Sequence, residues 1–231
     1  MTHNIEVYER TIVFVQRMRD GRIESFSKYA DLTQILKDKI ISSNDIDFNQ
    51  IDYGNDQDPA MYKSISFPNL NIKIAGHIDR VIISMEDITE TDKYFYEVSK
   101  NLSNILVRED ISAIGINHNG VMTTKKADEI IKSKILDKCP DILKGADTAS
   151  FKLVYKDENK KAIFIINIDS GAIKSSNSKE KEGILVSCNY HREIKTQQLM
   201  KTKMDEFQDS LESVKLKFEE YKKNIESHLN G

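Results

Sequence analysis

The sequence predicts an α+β fold, in which a largely antiparallel mixed sheet is followed by a long C-terminal amphipathic helix. Three observations favour this class. Runs rich in β-branched and aromatic residues follow one another as adjacent strand pairs instead of alternating strictly with helices. Other segments carry apolar residues every three or four positions, the period of an amphipathic helix. Residues 196–231 repeat apolar side chains at heptad spacing.

We therefore expect an α+β domain over residues 1–195 and a heptad-patterned helix over residues 196–231. The elements read β-α-β-β-α and then β-α-β-β-β-α. This order predicts two similar halves, residues 1–108 and 109–195, built around one continuous sheet. The expectation of a repeat depends on element order alone, because no residues match between the halves.

The first half begins with a strand and ends with a helix. Its strands are predicted at residues 5–18, 62–67 and 70–86, the last of them bending at Gly76. Its helices are predicted at residues 27–40 and 89–107, where apolar residues form one stripe. The stretch at 42–60 is rich in Asp and Asn and is typical of a loop.

The second half begins with a strand at residues 111–117. A helix follows over residues 125–140, where Pro140 stops it. Residues 149–169 predict a hairpin of two strands around "KDENKK", and residues 183–190 predict the last strand.

The stretch "INHNGV" raises the question of a site, since a histidine lies between two asparagines. Asn119-Gly120 is a preferred pair for a type I′ turn, in which both positions need positive φ. The pattern therefore predicts a hairpin tip here, with His118 exposed beside it.

The C-terminal helix carries a seam of apolar residues, which we call the heptad seam. Its members are Met200, Met204, Phe207, Leu211, Val214, Phe218, Tyr221 and Ile225. The spacing alternates between three and four residues, as in helices that pack on other helices. Two interpretations are open: the seam packs on the domain's own sheet, or it contacts a second copy or another protein. Our prediction places the contact with a partner or a homo-oligomer on this seam.

Composition excludes several classes of function. Lys and Arg number 34 against 37 Asp and Glu, a net charge of −3, which disfavours a nucleic-acid binder because phosphate contacts need a basic excess. No run of apolar residues is long enough for a membrane span, and no signal-peptide pattern is present. The two cysteines form no CxxC motif, as in a reduced cytoplasmic protein. We expect no cofactor, since no P-loop or GxGxxG occurs.

An enzyme is the alternative to an interaction protein. A metal-dependent hydrolase or nuclease would need dispersed carboxylates and histidines to meet in the fold. The candidate metal ligands are His77, Asp79, His118 and His191, and the candidate catalytic residues are Asp79, Asp169 and His191. No local motif such as HExxH brings any of them together.

The strand "IGINHNGV" (114–121), the later "INID" (166–169) and the helix after the last strand resemble an uncharacterised bacterial family that is found sporadically across genomes. The resemblance covers about residues 70–220 and implies an α+β domain without an established activity. In element order the chain is also similar to SecB-like chaperone domains, in which an antiparallel sheet precedes long C-terminal helices.

The expected function is that of a non-enzymatic, cytoplasmic bacterial interaction module. An antitoxin, a chaperone-like factor or an accessory protein of phage defence would each fit this description.

Overall fold

The fold is described from a computed structural model. It describes residues 4–16, 52–55, 63–67, 71–76, 80–86, 95–96, 99–100, 111–135, 148–174, 180–194 and 200–230. The predicted helix at 27–40, most of the predicted loop at 42–60, and both His77 and Asp79 lie outside the described residues.

Nine strands and two helices have assigned bounds within these ranges. The strands are β1 (Glu6–Gln16), β2 (Asp52–Asn55), β3 (Lys63–Phe67), β4 (Ile72–Gly76), β5 (Arg80–Glu86), β6 (Ile111–Thr123), β7 (Phe151–Asp157), β8 (Ala162–Ile173) and β9 (Lys181–Glu193). The helices are α1 (Ala127–Ile130), which continues as a π-helical turn over Ile131–Ile135, and α2 (Met200–Asn230). Residues 95, 96, 99 and 100 are also helical.

The nine strands form one sheet in the order β2-β3-β4-β5-β1-β6-β9-β8-β7. Every pairing among them is antiparallel. The prediction of an α+β fold with a largely antiparallel sheet and a long C-terminal helix is confirmed. The predicted bent strand at 70–86 is instead two strands, because β4 and β5 pair with each other and Gly76 lies opposite Val81.

The strand order has the same form on both sides of the central β1–β6 pair. On one side β1 is followed outwards by β5, β4, β3 and β2, and on the other β6 is followed by β9, β8 and β7. On each side, therefore, the earliest strand lies at the centre and its direct neighbour is the latest strand of that side.

Helix α2 packs on one face of the sheet, and side chains alternate between this face and the other except at the two register shifts of β1 against β6, at Val7/Glu9 and Val15/Gln16. Phe14 of β1 contacts Phe207 of α2, with ring centroids 5.2 Å apart. Arg10 of β1 reaches the helical residue Tyr96 on the same side, where its Nη1 donates to the Tyr96 hydroxyl at 2.6 Å. We call the opposite side, which no described helix covers, the open face. The alternation is the one expected of an antiparallel sheet with one solvated face.

The heptad seam packs on the protein's own sheet. Phe207, Leu211, Val214 and Phe218 are buried in the core. Met204, Tyr221 and Ile225 are partly buried against it, and the side chain of Met200 lies outside the described residues. The described seam side chains are therefore used inside the domain, as in the first of the two interpretations, and not for a contact with another molecule; the predicted contact through Met200 lies outside the described residues.

The predicted turn at Asn119-Gly120 is wrong, since β6 runs unbroken from Ile111 to Thr123. The glycine is explained by close packing instead. A Cβ at Gly120 would lie 2.6 Å from Ile5 Cγ2 and 3.8 Å from Phe218 Cζ. Local preference for a turn is overruled here by strands that pair on both sides of β6.

The C-terminal part of α2 contacts two other segments, the residue before β1 and the π-helical turn after α1. The backbone N–H of Ile5 donates to Glu226 Oε1 at 2.6 Å. At the same end of α2, His228 Nε2 lies 2.6 Å from the carbonyl oxygen of Lys134, in the π-helical turn after α1.

Candidate functional site

Two rows of polar side chains cross the open face, and we call them the polar rows. Each row is a series of directly opposed residues on neighbouring strands. The first is Ser66, Lys73, Ser84, Thr11, Asn117 and Asn189; the second is Glu86, Glu9, Asn119, Ser187, Asn167 and Lys152. Two parallel rows arise because single strands carry polar residues two positions apart, as in Asn117 and Asn119 of β6. Residues at this spacing point to the same face of a sheet.

Asparagine side chains connect the strands within the rows. Asn189 Nδ2 donates to Asn117 Oδ1 at 2.5 Å, from β9 to β6. Asn119 Nδ2 donates to Glu9 Oε2 at 2.7 Å, from β6 to β1. These contacts hold the amide planes in fixed orientations. A primary amide carries both donors and an acceptor, so each oriented amide can still offer polar groups to a molecule lying on the sheet.

The open face carries charges of both signs. Its acidic side chains include Glu9, Glu86, Asp169 and Glu193, and its basic side chains include Lys73, Arg80, Lys152 and Lys156. A phosphate-binding surface concentrates positive charge, because neutralisation of phosphates supplies most of its affinity. The described part of the open face shows no such concentration, because charges of both signs are mixed on it.

Of the predicted metal ligands, the structure describes only His118 and His191, and these two do not meet. His118 and His191 lie three positions out of register, since His118 is opposite Cys188 in β9. They therefore point to opposite faces: His118 is buried beneath α2, whereas His191 is exposed on the open face. Within the described ranges no group of three His, Cys, Asp or Glu side chains is placed to hold a metal ion. His118 and His191 therefore cannot hold one ion together, whereas the other two predicted ligands, His77 and Asp79, lie outside the described residues.

Two of the three predicted catalytic residues, Asp169 and His191, are also separated, and the third, Asp79, lies outside the described residues. Asp169 lies opposite Leu185, and His191 is six residues further along the same strand. At about 3.3 Å per residue, the two side chains are roughly 20 Å apart along β9. Both side chains point to the open face, but they lie at different ends of it and are too far apart to act on one reacting centre.

His118 occupies a fully buried position in the centre of the sheet. Its ring lies 5.2 Å from the ring of Phe218 between centroids, and neither ring nitrogen has a hydrogen-bond partner among the described residues. Burial, followed by the positive charges of Arg10 and Lys215, lowers its pKa to about 3. The imidazole is therefore neutral at ordinary pH and is sealed from any substrate on the open face.

Cys188, the cross-strand neighbour of His118, is equally unsuited to chemistry. Its thiol is buried, and this burial raises its pKa to about 12. A thiolate nucleophile needs the opposite environment, exposed and close to positive charge. Cys188 therefore serves as an apolar core residue.

The buried charged residue Arg192 fixes the first half of α2 to β9. Its Nη1 donates to Asp209 Oδ2 at 3.0 Å and to the Glu206 carbonyl oxygen at 3.2 Å. Lys160 also donates to Asp209, at 2.8 Å. The hydrogen bond from Lys160, together with the nearby charges of Lys160 and Arg192, lowers the pKa of Asp209. The cluster holds the helix to the sheet.

The polar rows leave a local signal in the sequence, the alternation of polar and apolar residues along a strand. In "SCNYH" of β9, the polar residues Ser187, Asn189 and His191 alternate with the buried residues Cys188 and Tyr190. Alternation of this kind identifies the residues on a solvated face. The register that aligns these residues across strands follows only from the three-dimensional pairing.

In the described ranges, α2 is long but too polar to cross a bilayer, and no other helix has an apolar stretch of sufficient length. No protein-family model, no curated protein and no solved structure matches the chain. The resemblance to an uncharacterised bacterial family therefore stays a prediction.

Proposed function

We propose that this protein is a non-enzymatic interaction module that binds another protein through the open face of its sheet. The observation that carries the proposal is the pair of polar rows, which present oriented amides, hydroxyls and charges of both signs. Antitoxins, chaperone-like factors and phage-defence accessory proteins are settings in which such a module would act.

The burial of the heptad seam supports this location. Because the apolar side chains of α2 are used within the domain, a contact surface on the described residues is to be sought on the other side of the sheet. There, half-exposed residues of the central strands lie side by side over β1, β6 and β9. A rigid sheet presents such groups with little loss of conformational entropy on binding.

The dispersal of the enzyme candidates also supports an interaction role. Asp169 and His191 are far apart, and His118 faces the helix layer. An enzyme needs its acid, base or metal ligands within hydrogen-bonding or coordination distance of one reacting centre.

The test is affinity capture from the host with the full chain and with two matched double variants. Ser187→Lys/Asn189→Lys adds two positive charges to the open face. Thr202→Lys/Asn224→Lys adds the same two charges to exposed positions of α2. Captured proteins are quantified by mass spectrometry, and the fold of each variant is checked by circular dichroism and thermal melting.

We expect the open-face variant to lose its captured partner by at least about tenfold, because each uncompensated charge in an interface costs affinity. The α2 variant should retain the partner. If both folded variants capture the same proteins in the same amounts as the wild type, the open face is not the binding surface and the proposal fails.

A further inference from the structure

The outer edge of β7 is unpaired in the described part of the chain. β7 is the last strand in the sheet order, and its described partner is β8 alone. In an antiparallel sheet, alternate residues of an edge strand direct their backbone N–H and C=O groups away from the sheet. β7 therefore offers backbone donors and acceptors along its seven residues.

Exposed apolar side chains concentrate at this edge. Four large hydrophobic side chains are strongly exposed in the described residues, and three of them, Val154, Tyr155 and Ile163, lie on the β7–β8 hairpin. Val154 is 50% exposed and Ile163 is 36% exposed, both on the open face. Tyr155 points to the other face, where its ring lies 5.7 Å from that of Tyr221.

Two lysines flank this valine on the same face of β7. Lys152 and Lys156 lie two positions before and after Val154, and both are exposed. Lysines on an edge strand oppose uncontrolled pairing with other edges. A strand that pairs favourably with β7 must therefore carry negative charges opposite these two lysines.

A second copy of this chain does not match that charge when the two β7 strands pair about Val154. If two β7 strands paired antiparallel about Val154, Lys152 of each copy would lie opposite Lys156 of the other. Like charges in directly opposed positions are destabilising. A strand with acidic residues at these two positions would instead form two favourable cross-strand pairs, and an apolar residue between them would cover Val154.

We propose that β7 binds an extended segment of a partner protein as an added strand, with an acidic–x–apolar–x–acidic pattern facing Lys152, Val154 and Lys156. Backbone hydrogen bonds to the edge supply affinity, and the alternate side chains supply specificity. The added strand extends the open face, so this inference rests on the proposed function and specifies the chemistry of the partner.

The test uses the full chain and two labelled nine-residue peptides, one with Glu-Thr-Val-Thr-Glu at its centre and one with Lys-Thr-Val-Thr-Lys. Binding is measured by fluorescence anisotropy. The variant Lys152→Glu/Lys156→Glu is compared with Lys125→Glu/Lys174→Glu, which makes the same change of charge at exposed positions outside β7.

We expect the Glu peptide to bind the wild type and the control variant alike. It should bind the Lys152→Glu/Lys156→Glu variant at least about tenfold more weakly, because two attractive pairs become repulsive. The Lys peptide should show the opposite preference. If the Glu peptide does not bind the wild type, or if both peptides bind equally, the inference is overturned.

Amide hydrogen exchange separates edge pairing from other binding. Addition of a strand should slow exchange at alternate amides of β7, whereas peptide bound elsewhere leaves them unchanged and overturns the inference. Native mass spectrometry tests whether the edge binds a second copy of the chain. A wild-type dimer that is lost in the Lys152→Glu/Lys156→Glu variant would assign the edge to a second copy and would also overturn the inference. Neither result affects the capture experiment on Ser187 and Asn189, so the edge inference and the proposed function fail separately.

Discussion

His118 lies directly beneath Phe218, with ring centroids 5.2 Å apart and an angle of 32° between the rings. The contact joins the middle of the central strand β6 to the middle of α2. Both ring nitrogens of His118 are buried without a hydrogen-bond partner among the described residues. A polar ring in an apolar contact lowers stability, and this has consequences that can be measured.

The substitution His118→Phe should stabilise the fold. A buried polar group without a partner costs about 1–3 kcal/mol, and an aromatic replacement removes that cost while it keeps the ring contact. We expect the free energy of unfolding, measured with urea at pH 7, to rise by about 1 kcal/mol or more. A fall of similar size would mean that the imidazole makes a stabilising hydrogen bond in solution.

Because of His118, the free energy of unfolding of the wild type should decrease as the pH is lowered. The pKa of His118 is about 3 in the folded chain against 6.5 for an ordinary histidine, so only the unfolded chain gains a proton between these values. Its contribution to stability is complete above pH 6.5 and is lost as pH falls toward 3, by up to about 1.4 kcal/mol per pH unit.

Between pH 7 and pH 5, the wild type should therefore lose about 2 kcal/mol more unfolding free energy than His118→Phe does. Urea titrations of both proteins at the two pH values measure this difference. Equal losses in the two proteins would show that His118 titrates normally in the folded state.

The heptad seam should behave as core. Leu211→Asp places a carboxylate at a position that is only 6% exposed, and we expect it to lower the unfolding free energy by about 3–5 kcal/mol or to prevent folding. Leu216→Asp, on the same helix at 71% exposure, is the matched control and should have little effect. Thermal melting followed by circular dichroism distinguishes them. If Leu211→Asp instead melts like the wild type, the seam does not pack on the sheet.

The two glycines of β6 should differ in their tolerance of alanine. At Gly120 a Cβ would lie 2.6 Å from Ile5 Cγ2, and Ile5 is buried and cannot move aside easily. At Gly115 the nearest such atom, Val13 Cβ, is 3.6 Å away, an ordinary contact. We expect Gly120→Ala to cost about 1–3 kcal/mol and Gly115→Ala to be close to neutral in urea unfolding. The reverse order would contradict the placement of Ile5.

The sequence predicted the class of fold well because strands and helices differ in local periodicity. Heptad spacing, however, is the same for a helix that packs on its own sheet and for one that packs on a partner, so the seam alone did not decide between them. The turn predicted at Asn119-Gly120 was wrong because a local turn preference carries no information about pairing with β1 and β9, which lie far away in the sequence. The polar rows depend on the same long-range register, as in Asn117 opposite Asn189.

The hydrogen bond from Ile5 to Glu226 joins segments that the ribosome makes at different times. Strand β1 is made before its neighbour β6, which follows roughly a hundred residues later, and the helix that covers it follows later still. Until then its apolar residues, such as Phe14, have no cover from α2. Native contacts that join such distant segments slow folding. We therefore expect the nascent chain to be most vulnerable to aggregation and proteolysis before α2 emerges, and the finished chain to fold slowly after dilution from denaturant.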